Sequence, residues 1–516
     1  MDRRVFLGTV GAAGALASTG IALAANKSGY DPTEKTIAEL TAAMQQGLTT
    51  ASELVAAYQA RIERYDRGPD GLHSVLALNP AAARDAAKLD AERRAGKLRG
   101  PLHGIPLLLK DNIETNDPMP TTAGSLAFAR STHAKDADLV ARLRAAGAIV
   151  LGKANLSEWA NFRCNQSSSG WSGVGGQTGN AYDRRRNPSG SSAGSGSAAA
   201  ASFCAVAVGS ETDGSILSPA ANNGLVGFKP TIGVVSGRGV VPLSPRQDTA
   251  GPMGRCVADV ALIAEIMSER ELGSDTPGAR LDAFSLAGVR VGVMPLEAHA
   301  HPKTAALRSA ALAAMKAKGA VLVELANPAG FEEMGLPEWE ALQYEFKDAI
   351  NAYLAGLDPA LVPSRTLTDL IAFNKAHADV EMPFFGQDIF ESSDAKGPLT
   401  DKAYLAHRAT LDKCADKEGL AALFASPVDV LFATGGGPAS LIDHVWGDRG
   451  AGGGGAPIAS AAAIAGYPSL TLPGGMIHGL PVGMTLVAPR ARDGYLLQVG
   501  AAIERLLPAR VPPRLV

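Results

Sequence analysis

The stretch that decides the fold reads Asn187-Pro188-Ser189-Gly190-Ser191-Ser192-Ala193-Gly194-Ser195-Gly196-Ser197. It runs without a break into the apolar segment Ala198 to Val208 and then into Gly209-Ser210-Glu211-Thr212-Asp213-Gly214-Ser215-Ile216. From Ser167 to Ser197, 17 of 31 residues are Gly or Ser, which by composition alone describes a flexible linker. Trp171 inside the run and the apolar segment behind it argue otherwise, because they bury its C-terminal end in a core. Small residues pressed against a core let backbone amides approach a ligand closely, as in anion-binding nests. In the turn that follows, Ser215 stands behind a glycine with N–H groups beside it; such a triplet alone is an ordinary turn.

Outward from this stretch, apolar runs bounded by Gly or Pro recur: Ile105 to Leu109, Ala148 to Leu151, Phe203 to Val208, Val289 to Val293, Ala320 to Leu325, Val428 to Ala433, Ser469 to Leu472 and Val482 to Val487. Helical patterns lie between and before them. Thr36 to Gln46 opens with Thr36 and Glu39 at capping-box spacing, Thr50 to Tyr65 carries Leu54, Tyr58 and Ile62 on one stripe, and Asp138 to Ala146 leads directly into a strand. Strands with no polar face alternating with helices predict an α/β fold, a mixed or mostly parallel central sheet covered by helices on both faces. Between Glu269 and Ser426 the chain turns more helical and more charged, with Ala305 to Lys318 and Trp339 to Leu354 as the clearest helices. That segment is expected to elaborate the core and shape part of a pocket.

Composition removes several classes. The 516 residues hold 48 Lys+Arg against 51 Asp+Glu, and the one basic cluster, Arg184 to Arg186, is short, so no nucleic-acid partner is expected. The 46% hydrophobic content is ample for a core and speaks against disorder. Beyond residue 25 no stretch is apolar enough to span a bilayer. At the N-terminus, Asp2-Arg3-Arg4-Val5-Phe6-Leu7 sets paired arginines before an uncharged stretch, Val5 to Ala25, that ends in small residues. This is the layout of a signal peptide, and the twin arginine resembles the export signal of proteins that cross already folded. Residues 1–25 are therefore expected to be removed, leaving residues 26–516 as a single periplasmic or secreted domain without stable membrane association, with 269–426 as its variable helical part. Cys164, Cys204, Cys256 and Cys414 share no close spacing and suit either disulfides or buried thiols. The nine histidines include no H-E-x-x-H, and no metal site is expected.

A third stretch completes the chemistry: Pro101-Leu102-His103-Gly104-Ile105-Pro106-Leu107-Leu108-Leu109-Lys110-Asp111-Asn112, in which one lysine ends an apolar strand. Such a lysine ordinarily snorkels to solvent, but burial would lower its pKa and leave part of it neutral and basic. The three stretches, in this order and spacing, resemble the amidase signature family of serine hydrolases. The likeness runs from about Ile37 to about Leu506 and includes Leu151-Gly152-Lys153-Ala154-Asn155, Gly224 to Thr231, Asp248-Thr249-Ala250-Gly251-Pro252 and Gly466 to Leu470. Within the family the chain is most similar to bacterial peptide amidases, through Ser157 to Arg163, Glu211 to Ser215, Tyr344 to Lys347 and Asp369 to Asn374.

The resemblance implies the amidase-signature fold and a Ser-Ser-Lys triad: Ser215 as nucleophile, Ser191 as the bridging serine on a cis peptide bond, and Lys110 as base. It also implies backbone donors at Thr212, Asp213 and Gly214, with Ser215's own N–H, for the oxyanion. The chemistry is coherent, since a serine hydroxyl needs a partner to take its proton during attack. Two departures stand out, Ala193 where the family has Gly, and Asp213 with Leu217 where other members carry Gly and Arg. The expected reaction is cofactor-independent hydrolysis of a carboxamide C–N bond in a peptide or small-molecule amide, foremost a C-terminal peptide amide or amino-acid amide. The alternatives are a broad aryl-amide, carbamate or ester hydrolase with the same triad, and an amidase-like subunit delivering ammonia to a transfer RNA-dependent partner. A monomer or weak homo-oligomer is expected. Two competing motifs are present. Gly190 to Gly194 satisfies G-x-S-x-G with Ser192 as nucleophile, but lacks a strand before it, and Ser393-Asp394-Ala395-Lys396 satisfies S-x-x-K in a polar stretch, Glu391 to Asp401, that reads as surface loop. A second glycine-rich run, Gly435 to Gly455 around Trp446, is expected to be a mobile loop at the pocket mouth.

Overall fold

The computed structural model describes residues 29–272, 281–297, 300–450 and 456–515; the signal-peptide reading falls on residues outside these. Eleven strands form one mixed sheet: β1 (Val75–Leu78), β2 (Pro106–Lys110), β3 (Ile149–Ala154), β4 (Val206–Glu211), β5 (Val226–Lys229), β6 (Thr249–Gly254), β7 (Arg290–Val293), β8 (Val321–Glu324), β9 (Val430–Thr434), β10 (Ser469–Ile477) and β11 (Leu480–Val487). Their order across the sheet is β1-β3-β2-β4-β6-β5-β10-β11-β9-β7-β8. β2 runs parallel to both β3 and β4, and β7 runs parallel to β8 and β9, whereas the middle, from β4 through β6, β5, β10 and β11 to β9, is antiparallel throughout. Every residue of β2, β3, β4 and β11 is buried, the signature of strands covered on both faces.

The helices cover both faces because each has one apolar stripe to hide. Thr36 and Thr50 each close a capping box, with Glu39 and Glu53, and start the helices Ile37–Gln45 and Ala51–Tyr65, which bury Leu40, Met44, Leu54, Tyr58 and Ile62. The segment 269–426 is not only helical: it contributes β7 and β8 to the sheet before the long helix Gly335–Gly356 begins. That helix packs Phe346 against Phe390 and Phe162, at ring separations of 5.3 and 5.4 Å, in a satellite core that also holds Phe128 and Trp159. The stretch Glu391 to Asp401 is loop from residue 395 onward, as read, and differs from that reading only in its first four residues, which are helical. Ser393 lies buried in the helix Asp388–Asp394, where Ile389 and Phe390 anchor it, and Lys396 is held by Glu340 at 2.6 Å.

The C-terminal end of the Gly/Ser stretch is packed into the core. The helix Ala193–Ala200 is buried at every residue, and its alanines join Leu107 to Leu109 and Val206 to Val208 in one core. Gly194 has no room for a side chain, since a Cβ there would come within 2.5 Å of the backbone N and O of Asn155.

Candidate active site

Lys110 ends β2 and is fully buried between β3 and β4, so it cannot snorkel. Its Nζ lies 2.8 Å from Ser191 Oγ, 2.9 Å from Ser210 Oγ and 3.2 Å from the Ser210 carbonyl. Asn112, two residues on, donates its Nδ2 to the same Ser210 Oγ at 2.9 Å. Burial pushes the lysine down to about 7, and the carboxylates of Asp248 and Glu211 only partly oppose that. A neutral amine at this position has a lone pair free to accept the Ser191 hydroxyl proton.

Ser191 follows a cis peptide bond from Gly190, and its carbonyl accepts the Ser157 N–H at 2.9 Å. The Ser157 hydroxyl in turn accepts the Gly170 N–H at 2.9 Å, so the segment Ser157 to Arg163 abuts Ser191 from behind. Ser192 is disposed differently. Its hydroxyl donates to the Ser210 carbonyl at 3.0 Å and accepts the Ser210 N–H at 3.1 Å, and it has no solvent exposure. Residues 184–190 before it form turns and an isolated bridge, not a strand entering an elbow.

Ser215 sits in the corner between β4 and the helix Leu217–Asn222, behind Gly214 in the left-handed region at φ +73°. The corner is held from inside by Glu211, whose Oε2 accepts the N–H groups of Ile216 at 2.7 Å and Leu217 at 3.0 Å. From outside it is held by Asp248, which accepts the Thr212 hydroxyl at 2.6 Å and the N–H groups of Leu243 and Ser244 at 2.7 and 2.9 Å. Ser215 joins the lysine and Ser191 through the main chain, its carbonyl taking the Ser192 N–H at 3.2 Å. Among the described residues its hydroxyl has no hydrogen-bond partner, and no acceptor takes the N–H of Asp213, Gly214 or Ser215. The corner therefore presents one free hydroxyl beside a cluster of free amides.

Asp213 belongs to this corner, and Glu338 stands near it on the long helix. Burial lifts the Asp213 carboxyl to about 6, with Glu211 adding to the rise. Glu338, on the long helix, is held well above the carboxylate range by burial and by Asp213, and accepts Gln247 Nε2 at 2.8 Å. The elaboration thus reaches the site. The other peptide-amidase-like residues clamp it in place: buried Arg163 lies 3.3 Å from Glu158, stacks on Phe385 at 4.6 Å and donates to the Gly386 carbonyl at 2.9 Å. Glu345 takes the Tyr404 hydroxyl at 2.8 Å and the Ser244 hydroxyl, tying helix to corner loop.

Of the run Gly435 to Gly455, expected to be a mobile loop, residues 451–455 lie outside the described residues, and the part before them is tied down. Residues 439–448 are fastened to the Gly/Ser stretch: Asn187 N–H donates to the Ser440 carbonyl at 2.8 Å, Ile442 N–H to the Arg185 carbonyl at 3.0 Å, and His444 bonds Gln177 at 2.9 Å. The strongest tie is Asp448, which accepts the Ser169 N–H at 3.1 Å, the Ser169 hydroxyl at 2.5 Å and Asn187 Nδ2 at 2.7 Å. Close packing is needed at Gly447, where a Cβ would come within 2.3 Å of the Gln166 carbonyl oxygen. Asn187 Oδ1 then takes the Ser189 N–H at 2.7 Å, two residues before Ser191. Asp448→Ala is expected to lower kcat about 10- to 100-fold through misplacement of Ser191, with KM little changed. Steady-state kinetics on an amide substrate, with Asp448→Asn as a partial rescue, check it; a KM effect alone would show that the brace serves binding.

Glu211, Ser210, Asp248 and Asp448 support the site without standing out in the sequence as site residues. Glu211 and Ser210 are within reach of a sequence reading, since both lie inside the stretch that carries Ser215. Asp448 lies 257 positions from Ser191 in the chain, with no local pattern to mark it.

Fold and site together define an enzyme of the amide-hydrolysing class, built on an α/β sheet with a buried lysine and serines at its centre. The chain belongs to the amidase family, whose sequence model matches residues 53–497. The peptide amidase of Stenotrophomonas maltophilia, at 43% identity, superposes with a TM-score of 0.87 over 94% of this chain and 99% of its own. A probable amidase of Arabidopsis thaliana is 34% identical over 94% of this chain and 92% of its own length. A glutamyl-tRNA(Gln) amidotransferase component of Salinispora arenicola is 31% identical over 94% of this chain and the whole of its own. All four cysteines are free thiols in this fold, and burial drives Cys204 up to about 12.

Proposed function

We propose that this amidase works through Lys110, Ser191 and Ser215 and an acyl-enzyme, and that its substrates are C-terminal peptide amides or amino-acid amides. The observation that carries the reading is the 2.8 Å hydrogen bond between the fully buried Lys110 amine and Ser191 Oγ, beside a corner whose serine hydroxyl and amides are free. In the first half-reaction Ser215 Oγ bonds to the amide carbon while its proton passes to Ser191 and the Ser191 proton passes to neutral Lys110. The oxygen, now anionic, is received by N–H groups of the turn Thr212, Asp213, Gly214 and Ser215, a contribution of about 3 to 4 kcal/mol per good donor. The C–N bond breaks as the proton returns from Lys110 through Ser191 to the nitrogen, and ammonia leaves. Water then attacks the ester with the same relay, freeing the acid and Ser215. A serine hydroxyl that is free in the unliganded enzyme and closes onto its partner with substrate bound is common in such sites.

The similarity to the peptide amidase favours peptide amides over anilides, carbamates and esters. The similarity to an amidotransferase component keeps ammonia delivery as the second reading. Liquid chromatography of products from a peptide amide, an anilide and a carbamate separates the hydrolytic readings: release of ammonia and free peptide acid is expected, and turnover of the anilide alone would sink the peptide assignment. An enzyme that turns over none of the three without an added partner would support ammonia delivery instead.

A further inference from the structure

Away from the catalytic corner, a cleft of about 260 Å³ opens between the loop after β5, the base of the helix Pro457–Ala465 and the helix carrying Arg408. Thr231, Arg246, Arg408, Asp412, Asp416 and Arg490 line it. Arg408 is 6% exposed, yet its guanidinium is poorly satisfied. Nη1 has Gln247 Oε1 at 3.4 Å and Glu345 Oε1 at 3.7 Å, Nη2 has Asp412 at 3.8 Å, and Nε has no partner at all among the described residues. A guanidinium taken out of water and left with such long contacts is costly to hold, and it presents a planar fork of donors that a carboxylate matches. Arg246 stands exposed at the rim with neither hydrogen bond nor ion pair among the described residues.

The remaining charges say which anion fits. Asp416 is already taken by Arg490 at 2.9 Å and by the Tyr467 hydroxyl at 2.8 Å, and Asp412 lies half-exposed at the edge. Arg490 is paired with Asp416, and Arg408 has Asp412 and Glu345 at long range, so Arg246 is the one lining cation without a carboxylate among the described residues, and a single free cation matches a singly charged ligand better than a doubly charged phosphate. We propose that this cleft binds a small singly charged carboxylate, gripped by the fork of Arg408 and closed over by Arg246. On the hydrolase reading above, the carboxylate nearest at hand is the acid that the reaction releases. Gln247 links the cleft to the corner: it faces Arg408 through Oε1 and donates its Nε2 to Glu338 at 2.8 Å and to the Thr212 carbonyl at 3.4 Å.

Isothermal titration of the full chain with sodium acetate, with sodium phosphate and with sodium chloride at matched ionic strength tests the site. Acetate is expected to bind saturably and more tightly than phosphate, and Arg246→Ala to weaken it by about tenfold or more, the loss of one charged hydrogen bond. Arg246 makes no hydrogen bond or ion pair among the described residues, so its removal is expected to leave the fold intact, which a melting curve of the variant checks. Ser215→Ala is expected to keep acetate binding unchanged, whether or not the hydrolase reading holds. Binding equal in wild type and Arg246→Ala, binding reproduced by chloride, tighter binding of phosphate than acetate, or binding lost in Ser215→Ala would each overturn the proposal.

Discussion

Ser215→Ala is expected to cut turnover of a peptide amide by a factor on the order of 10⁶ and to abolish covalent labelling by a fluorophosphonate, while the protein stays folded. The size of the effect follows from the absence of a substitute. Ser191 is committed to Lys110, and Ser192 spends its hydroxyl on both polar groups of the Ser210 backbone. The folded state should hardly notice the change, because the Ser215 hydroxyl bonds no described residue and its removal orphans no polar group. Ser192→Ala makes the contrasting control. It leaves the buried Ser210 N–H and carbonyl each short of a partner, at about 1 to 3 kcal/mol apiece, so its penalty should appear in the melting temperature and not in labelling. Label retained by Ser215→Ala and lost from Ser192→Ala would move the nucleophile to Ser192 and remove the reading.

The two serine variants also show where local sequence is informative. Ser191 and Ser192 are neighbours with the same side chain, in a run that satisfies two hydrolase motifs, and composition cannot rank them. What separates them is that Ser192 stands at the start of a helix buried along its whole length, facing β4, while Ser191 is turned toward the end of β2. Both elements are legible: β2 and β4 as apolar runs without a polar face, the helix as small residues followed by alanines. Their juxtaposition is not, because it rests on parallel pairing of strands about a hundred residues apart.

The same limit explains the rest. The helices Ile37–Gln45 and Ala51–Tyr65 match their sequence reading to within a residue, since capping boxes are local chemistry. β7 and β8 are legible as strands, but nothing local says that they extend the sheet beyond β9. Asp448 and the loop it braces escape the sequence for a related reason. Glycine permits both mobility and close approach, and only the partner, here Ser169 and Asn187, decides between them. Glu338 shows another case: it lies just before the helix read from Trp339, with no local pattern to mark it, yet it and Glu345 both bond residues that support the corner.

Lys110→Met is expected to lower kcat/KM by about 10²- to 10⁴-fold, the usual worth of a general base, and to change two pH profiles in ways a merely structural lysine would not. In the wild type kcat/KM should rise about tenfold per unit below pH 7 and level off above it, because only the neutral amine can take the Ser191 proton and burial sets that transition at about 7. A limb centred near 10 would mean that the lysine stays charged and that the relay is wrong. Stability carries the second signature. Unfolded, the lysine titrates at its ordinary value of 10.5, whereas folded it does so at about 7, so between these values the unfolded chain binds the extra proton. Stability from this group therefore increases with pH across that window, by up to about 1.4 kcal/mol per unit, and is at its lowest below pH 7, where the charged amine must be buried. Lys153 and Lys229 are lowered by burial as well, but they are common to both proteins and cancel in the difference. Urea unfolding of wild type and Lys110→Met at pH 7, 8, 9 and 9.5 should show the wild type gaining on the variant at each step. A difference that stays flat would place the Lys110 charge on the folded protein throughout, and the lysine could not then be the base.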